Sequence, residues 1–255
     1  MKEEEVNLVG FLCNWCSYAG ADLAGVSRFQ YPPNIRIIRV MCSGRVDPEL
    51  ILDTFLHGAD GVFIGGCHFG DCHYLEGNYY AEKKIEMTER LLKVAGVEPE
   101  RLRLEWVSAS AGERFAAVIR AFTAEIKEMG RIKYDKERME AVRMAAADYR
   151  LRILATKERE LLEGGNKYGE VFTQHEMDRL LDDMVQDEYE AKRILLKLKK
   201  PMSVKEIVSE LNLKPNVVLQ RILDLKRHEL IEIHEIRDNT PVYIARELSE
   251  GGLTE

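Results

Sequence analysis

The fold of this chain is decided by residues 6–29, VNLVGFLCNWCSYAGADLAGVSRF. A short run of apolar and branched residues over Val6–Leu12 predicts a β-strand that ends at Cys13. A helical pattern follows over Ala19–Phe29. The pair Cys13 and Cys16 therefore lies where a strand gives way to a helix, at the edge where open α/β sheets build their functional sites.

Strand and helix continue to alternate up to about residue 130. Three more apolar runs predict strands over Ile35–Met41, Gly61–Gly66 and Leu102–Val107. Helical patterns fill the intervals and follow the last strand, over Asp47–His57, Tyr79–Ala95 and Ala111–Met129. This order predicts an α/β domain over residues 1–130, with a mostly parallel flavodoxin-like or Rossmann-like sheet and helices on both faces.

The composition changes after residue 130. Tyr134–Glu163 is rich in Arg, Glu, Ala, Met and Leu and contains no Gly or Pro, so it predicts one long helix. Gly164 and Gly165 follow it in the manner of a helix end. Its apolar residues recur only loosely at helical spacing, which favours a solvent-exposed helical connector over residues 131–165 rather than a long coiled coil.

Residues 166–255 predict a small winged-helix-like domain. Its elements are a helix over Glu176–Leu198, a short helix capped by Ser203, a third helix from Pro215, and a hairpin of Leu230–Ile236 and Pro241–Ala245. The third helix mixes Lys214, Arg221, Lys226 and Arg227 with Asp224 and Glu229 nearby. The domain carries 14 Lys and Arg against 18 Asp and Glu. Because DNA affinity depends on neutralising phosphates, this balance favours protein docking or a structural role over nucleic-acid binding.

The bulk composition is that of a globular protein, with 255 residues, a net charge of −7 and 45% apolar residues. The N-terminus opens with glutamates and does not resemble a signal peptide. No apolar run approaches the roughly 20 residues that cross a bilayer. We therefore expect a cytoplasmic protein with no membrane insertion, in which clustered cysteines indicate a metal or redox site rather than structural disulfides.

All five cysteines fall within the first 72 residues, each at or just beyond the end of a predicted strand: Cys13, Cys16, Cys42, Cys67 and Cys72. We expect them to converge on one point. A dithiol centre would use only the first pair, and a zinc site would want a second close pair, whereas Cys67 and Cys72 are five residues apart. Four thiolates are what an iron–sulfur cluster needs, so that hypothesis is favoured over zinc, over a dithiol and over cysteines with no shared role.

The residues around the cysteines suit a cluster. Four glycines would let the backbone approach closely and aim amides at sulfur: Gly44, Gly65, Gly66 and Gly70. Trp15, Phe69 and Tyr74 either shield the site from water or pack under the sheet edge. His68 and His73 allow a histidine-ligated, Rieske-like cluster, although hydrogen bonding to the site or a plain structural role is favoured, since enough cysteines exist without them.

Two segments carry a resemblance to a known family. FLCNWCSYAGADLAGVSRFQYPPNIRIIRVMCSGRVDPELIL and GADGVFIGGCHFGDCHYLEGNYYAEKK resemble the delta subunit of methyl-viologen-reducing hydrogenase over about the first 130 residues. The resemblance implies one 2Fe–2S cluster, with all five cysteines at family positions and four of them as ligands. Cys13 and Cys42 are the first to be questioned as ligands. It also implies electron relay between a hydrogenase or formate dehydrogenase and the flavin subunit of heterodisulfide reductase.

The cysteine cluster together with this resemblance implies a non-catalytic electron-transfer subunit of a hetero-oligomeric oxidoreductase complex in anaerobic metabolism. It contains no dinucleotide fingerprint and no phosphate-binding loop, which favours an electron carrier over a catalyst. The segment after residue 130 is expected to anchor a particular partner. The main rival hypothesis is an iron–sulfur redox-sensing transcription regulator that uses the C-terminal winged helix, and a weaker rival is a dithiol oxidoreductase.

Overall fold

The structure is a computed structural model, and it describes residues 5–246. The strands are β1 (Leu8–Cys13), β2 (Ile35–Val40), β3 (Gly61–Gly66), β4 (Leu102–Trp106), β5 (Met202–Ser203), β6 (Ile231–Arg237) and β7 (Thr240–Ala245). The α-helices are α1 (Ser17–Val26), α2 (Pro48–Leu56), α3 (Gly77–Ala95), α4 (Gly112–Met129), α5 (Lys136–Ala146), α6 (Tyr149–Glu163), α7 (Gln174–Lys197), α8 (Val204–Leu211) and α9 (Pro215–Arg227). The chain divides into two compact units between Val185 and Gln186, inside α7.

The N-terminal unit is built on a four-stranded sheet in the order β2-β1-β3-β4, and every neighbouring pair is parallel. The α/β prediction is therefore confirmed. Between the two sheet types expected from the sequence, this order is that of the first four flavodoxin-like strands, since a Rossmann sheet places β2 between β1 and β3. The strand order reverses at β1, because β2 lies on one side of β1 and β3 on the other. The carboxyl ends of β1 and β3 are therefore adjacent, and the connections that follow these two strands lie on opposite faces of the sheet.

Helices cover both faces of this sheet, as the nearly continuous apolar strands predict. Alternate strand residues such as Leu8, Leu12 and Phe63 are buried against α1 and α4, where they meet Phe115 and Phe122. The side chains between them in sequence point to the other face, which α2 and α3 occupy. The period of two along each strand thus divides the core into two layers and fixes the register of the sheet.

The prediction of one long helix over Tyr134–Glu163 is wrong. The chain forms α5 and α6 instead, separated at Ala147 and Asp148. The side chain of Asp148 accepts a hydrogen bond from the amide of Arg150 and so caps α6, as Asp135 caps α5. A cap of this kind satisfies amides that a continuous helix would bond internally, and it therefore allows the chain to turn.

The expectation of a solvent-exposed connector is also wrong. Helix α5 packs on α2 and α3, and it buries Met139, Val142 and Ala145 completely. Helix α6 packs on α3, where the buried carboxylate of Glu158 lies 3.0 Å from the ammonium group of Lys83. These helices belong to the core of the N-terminal unit.

The C-terminal unit has its own core and its own antiparallel sheet, in the order β5-β7-β6. The predicted cap at Ser203 is present and forms a capping box, because Ser203 and Glu206 bond each other's backbone at the start of α8. The predicted hairpin is present too, with Asp238 and Asn239 in the left-handed conformation that a tight turn requires. Within residues 5–246, no helix is both long and apolar enough to cross a membrane.

Asp60, in the loop between α2 and β3, is expected to be the most sensitive polar position of the N-terminal unit. Its buried carboxylate accepts hydrogen bonds from the amides of Asn7 and Ile132, at 2.8 and 2.9 Å. Asp60→Ala leaves both donors unpaired and should lower the free energy of unfolding by about 3 kcal/mol. Tryptophan fluorescence during guanidinium denaturation measures this, because both tryptophans lie in the N-terminal unit.

The matched control is Asp53→Ala, at a half-exposed helical position, which should change the unfolding free energy by no more than about 0.5 kcal/mol. Equal losses in the two variants would contradict a special role for Asp60.

Candidate metal centre

The structure brings all five cysteines together at the carboxyl edge of the parallel sheet. Cys13 is the last residue of β1 and Cys67 directly follows β3, while Cys16 immediately precedes α1. Cys42 precedes a short 3-10 helix and Cys72 lies in the loop before α3. All five thiols are buried, with exposed fractions between 1% and 7%, and they form one cluster. The convergence expected from the sequence is therefore present.

The centre of the cluster lies where the strand order reverses. The sulfur atoms of Cys13 and Cys67, from the neighbouring strands β1 and β3, are 3.7 Å apart. Together with the sulfur of Cys16 they form a group in which every pair lies within 4.8 Å, a spacing that could hold a metal ion. Crevices at such reversal points are the usual ligand sites of open α/β sheets.

The thiols share protons through hydrogen bonds. Cys16 and Cys42 donate to the sulfur of Cys13, and this lowers the pKa of Cys13 to about 7. The bond with Cys13 raises the pKa of Cys16 to about 12, and a separate bond with Cys13, together with burial, raises the pKa of Cys42. Cys13 thus ionises before Cys16 and Cys42. Since metals bind the thiolate form, metal binding here would release the remaining protons.

Three polar side chains that the sequence analysis missed hold the loops around the thiols. The hydroxyl of Ser17 donates to the carbonyl of Gly65 at 2.8 Å. The amide of Asn78, fully buried, donates to the carbonyls of Cys67 and His68 at 3.1 and 2.8 Å. Lys84 donates to the carbonyl of Gly44 at 2.8 Å. Ser17 and Asn78 lie in the first turns of α1 and α3. Their position at the start of a helix is the one signal in the sequence that could have indicated their role.

Gly77, which the sequence analysis also missed, is packed most tightly against the sulfur atoms. A Cβ atom at this position would lie 2.3 Å from the sulfur of Cys42 and 3.2 Å from that of Cys72. Real Cβ atoms do not approach other atoms so closely, so any side chain larger than hydrogen would displace the thiols. The first turn of α3 therefore lies directly on the cluster.

The four predicted glycines have different roles. Gly44, Gly65 and Gly66 do lie against other groups, since a Cβ at these positions would meet Gly77, Ser17 and Trp106. Among their amides, that of Gly44 donates to the sulfur of Cys42. The expectation of close approach at Gly70 is wrong: no atom lies near its Cβ position, and its φ of +86° shows that it serves a turn.

The predicted aromatic residues form a rim that only partly covers the cluster. Trp15 stacks on His73 with ring centroids 3.7 Å apart and donates to the hydroxyl of Tyr74. Trp15, Tyr74 and Phe69 each keep more than two fifths of their surface exposed. His68 and His73 are also exposed, and the group of metal-ligating atoms found within residues 5–246 contains cysteines alone.

A cavity of about 830 Å³ opens beside the cluster. Cys42 and Gly77 form part of its wall, and Met41, Tyr80 and Lys84 extend it. The opposite wall comes from α6: Thr156, Lys157 and Glu160. The cavity therefore gives access to one side of the buried thiols. Helix α6, which lies after residue 130, forms part of its wall.

Comparison with known proteins identifies the family. The family model of the delta subunit of methyl-viologen-reducing hydrogenase matches residues 8–130, which include every cysteine. An iron–sulfur subunit of the F420-non-reducing hydrogenase of Archaeoglobus profundus is 51% identical over 137 residues, which are 53% of this chain and the whole of that relative. The chain belongs to the delta-subunit family. Its relatives are iron–sulfur subunits of redox complexes, which supports an iron–sulfur cofactor and an electron-transfer role.

Two further relatives of the delta-subunit family differ in length. The vhc iron–sulfur subunit of the F420-non-reducing hydrogenase of Methanococcus voltae is 57% identical over 126 residues, covering 49% of this chain and 88% of that protein. One subunit of the ferredoxin/F420H2-dependent CoB-CoM heterodisulfide reductase of Methanosarcina acetivorans is 51% identical over 125 residues, covering 49% of this chain but only 16% of that protein. The family model ends at residue 130, so α5 to α9 lie outside its match.

Replacement of Gly77 by alanine tests the packing of α3 on the thiols. Because the added methyl group overlaps the sulfur of Cys42, Gly77→Ala should reduce the iron bound per chain by at least about half after anaerobic purification. Gly25→Ala is the control, because Gly25 lies in α1 and a Cβ there meets no atom within 4 Å. It should bind as much iron as the unmodified chain. Full iron content in Gly77→Ala would show that the thiols do not need this close contact.

Proposed function

We propose that this chain is an electron-transfer subunit that carries one 2Fe–2S cluster held by four of its five cysteines. The observation that carries the proposal is the burial of all five thiols at one point, in a member of a family of iron–sulfur subunits. Such a cluster, when bound, takes up and releases one electron at a time. The chain itself supplies thiolates, excludes water and holds the surrounding loops in place.

The residues around the thiols fit this cofactor. Iron–sulfur clusters take thiolate ligands, and backbone amides that bond the sulfur atoms stabilise the added negative charge. The amides of Trp15, Ser17 and Gly44 donate to the sulfurs of Cys13, Cys16 and Cys42. Lys84 lies close enough for its charge to favour the thiolate of Cys42. A zinc site would need four ligands as well, so the proposal rests on the family for the choice of iron.

We further propose that the chain works in a cytoplasmic hetero-oligomeric complex, between a flavin-bearing subunit of the heterodisulfide reductase type and a hydrogenase or dehydrogenase. In the Methanosarcina acetivorans relative, the segment similar to this chain is part of a much longer polypeptide that is named as a heterodisulfide reductase component. A domain that is fused to a protein in one organism commonly binds that protein when the two are separate chains. The half-exposed aromatic rim and the cavity beside Cys42 offer two routes to the cluster.

For the C-terminal unit we propose a winged-helix fold with a partner-docking role. The order of α7, β5, α8, α9 and the β6–β7 hairpin supports this fold. Its charges do not favour DNA. Arg221 of α9 is buried and paired with Asp187 and Glu190, while Arg227 pairs with Asp224. These pairs neutralise cations that phosphate binding would need, and the family relationship does not favour the regulator hypothesis.

The cofactor is tested by metal analysis of the anaerobically purified chain. About two iron atoms and two acid-labile sulfides per chain are expected, with visible absorption and an electron paramagnetic resonance signal after reduction. A colourless protein with zinc and no iron would overturn the proposed function. About four iron atoms per chain would retain electron transfer but contradict the 2Fe–2S type.

The partners are tested by anaerobic purification from the native source, with identification of every protein that remains bound. A flavin-containing reductase component is expected, and its flavin should be reduced when the pre-reduced chain is added. The control is the same assay with the chain stripped of its metal, which should transfer no electrons. Recovery of the chain on specific DNA fragments, released by salt, would instead support the transcription regulator.

A further inference from the structure

Lys84 carries a half-buried positive charge that has no acidic partner. Within residues 5–246 its ammonium group forms no ion pair and donates instead to a backbone carbonyl. The preceding residue, Lys83, pairs with Glu86 and Glu158 at 2.8 and 3.0 Å. Burial costs a cation part of its hydration, and a carboxylate partner normally offsets that cost. The charge of Lys84 therefore calls for a different explanation from that of Lys83.

The carboxylates that share a cavity wall with Lys84 already have cations of their own. Asp47 lines a cavity of about 250 Å³ together with Lys84, and its carboxylate lies 3.0 Å from the guanidinium group of Arg152. Glu160 lines the larger cavity beside the thiols, and it pairs with Lys157. The walls of these two cavities therefore leave the charge of Lys84 without a neutralising group.

Helix α3 directs this charge toward the thiols. Lys84 follows Gly77 by seven residues, or two turns, so both residues lie on the face of α3 that meets the sulfurs of Cys42 and Cys72. Side chains on a helix lean toward its N-terminus, which is the end that lies on the cluster. The ammonium group donates to the carbonyl of Gly44, two residues after Cys42, at 2.8 Å. Lys84 and Cys42 also line the same cavity.

The turn that follows Cys42 is held against α3 at two points. A Cβ atom on Gly44 would overlap the carbonyl oxygen of Gly77, so the backbones meet directly there. The hydrogen bond from Lys84 to the carbonyl of Gly44 is the second point. The position of the charge relative to Cys42 is therefore set by the backbone and not by a long, free side chain.

We propose that the positive charge of Lys84 raises the reduction potential of the cluster. The proposal rests on the proposed function, since it concerns the cofactor of that site. Reduction adds one negative charge to an iron–sulfur cluster, and a fixed cation nearby stabilises the reduced form more than the oxidised form. The electron comes from one partner protein and passes to another, and Lys84 itself gives up neither an electron nor a proton.

Lys84→Gln tests the proposal in the full chain, purified anaerobically and titrated with a reductant while the paramagnetic signal is followed. Glutamine removes the charge but keeps an N–H donor for the carbonyl of Gly44. The variant should keep its iron, and its ratio of reduced to oxidised cluster at a fixed potential should fall about tenfold, which is a midpoint about 59 mV lower for one electron. Lys84→Arg keeps the charge and should restore the ratio to within about threefold. An unchanged midpoint in Lys84→Gln with full iron would overturn the proposal.

Lys93→Gln is the matched control, because it makes the same change of net charge at an exposed position farther along α3. Its midpoint should equal that of the unmodified chain. An equal fall in Lys93→Gln and Lys84→Gln would mean that only the net charge matters, and this result would also overturn the proposal.

Lys84→Met covers the case in which Lys84→Gln does not hold iron, because methionine is flexible, of similar reach and uncharged. Its midpoint should be lowered as well. Loss of iron from both uncharged variants, with iron kept in Lys84→Arg, would give Lys84 a structural role alone and refute its effect on the potential. An unmodified chain without iron would refute the proposed function itself, which distinguishes the two failures.

Discussion

The packing of β1 beside β3 is the constraint on which the rest of this structure depends. Because β2 and β3 flank β1 on opposite sides, the chain leaves the carboxyl ends of β1 and β3 next to each other with no helix between them. Cys13 and Cys67 occupy those two ends, and their sulfurs are 3.7 Å apart. A strand placed between β1 and β3 would separate them, whatever the loops did.

The loops complete what the sheet begins, and polar side chains hold them in place. The side chains of Asn78 and Lys84 donate to carbonyls of the cysteine loops, and that of Ser17 donates to the carbonyl of Gly65 near the end of β3. Gly77 then allows α3 to approach the sulfurs without a side chain between them. The result is a site with buried thiols close to the surface, which suits a group that must exchange electrons but avoid water.

The sequence predicted the features that depend on local periodicity. Runs such as Gly61–Gly66 indicated the strands and their order of alternation with helices, and the cysteines at their ends indicated the site. The break at Asp148 was missed because composition between residues 134 and 163 is helical throughout, and a single capping side chain decided the outcome. Gly77 was missed because its constraint is a contact with Cys42 and Cys72, and distances between separate segments have no periodicity.

The segment after residue 130 changes how the family domain can be approached. Helices α5 and α6 are held by buried apolar residues and by the pair of Glu158 with Lys83, so they are packed into the N-terminal unit and do not form an extended tether. Helix α6 also forms one wall of the cavity that reaches Cys42. The added helices thus form part of the surface beside the cysteine cluster, and this part lies outside the segment that the family model matches.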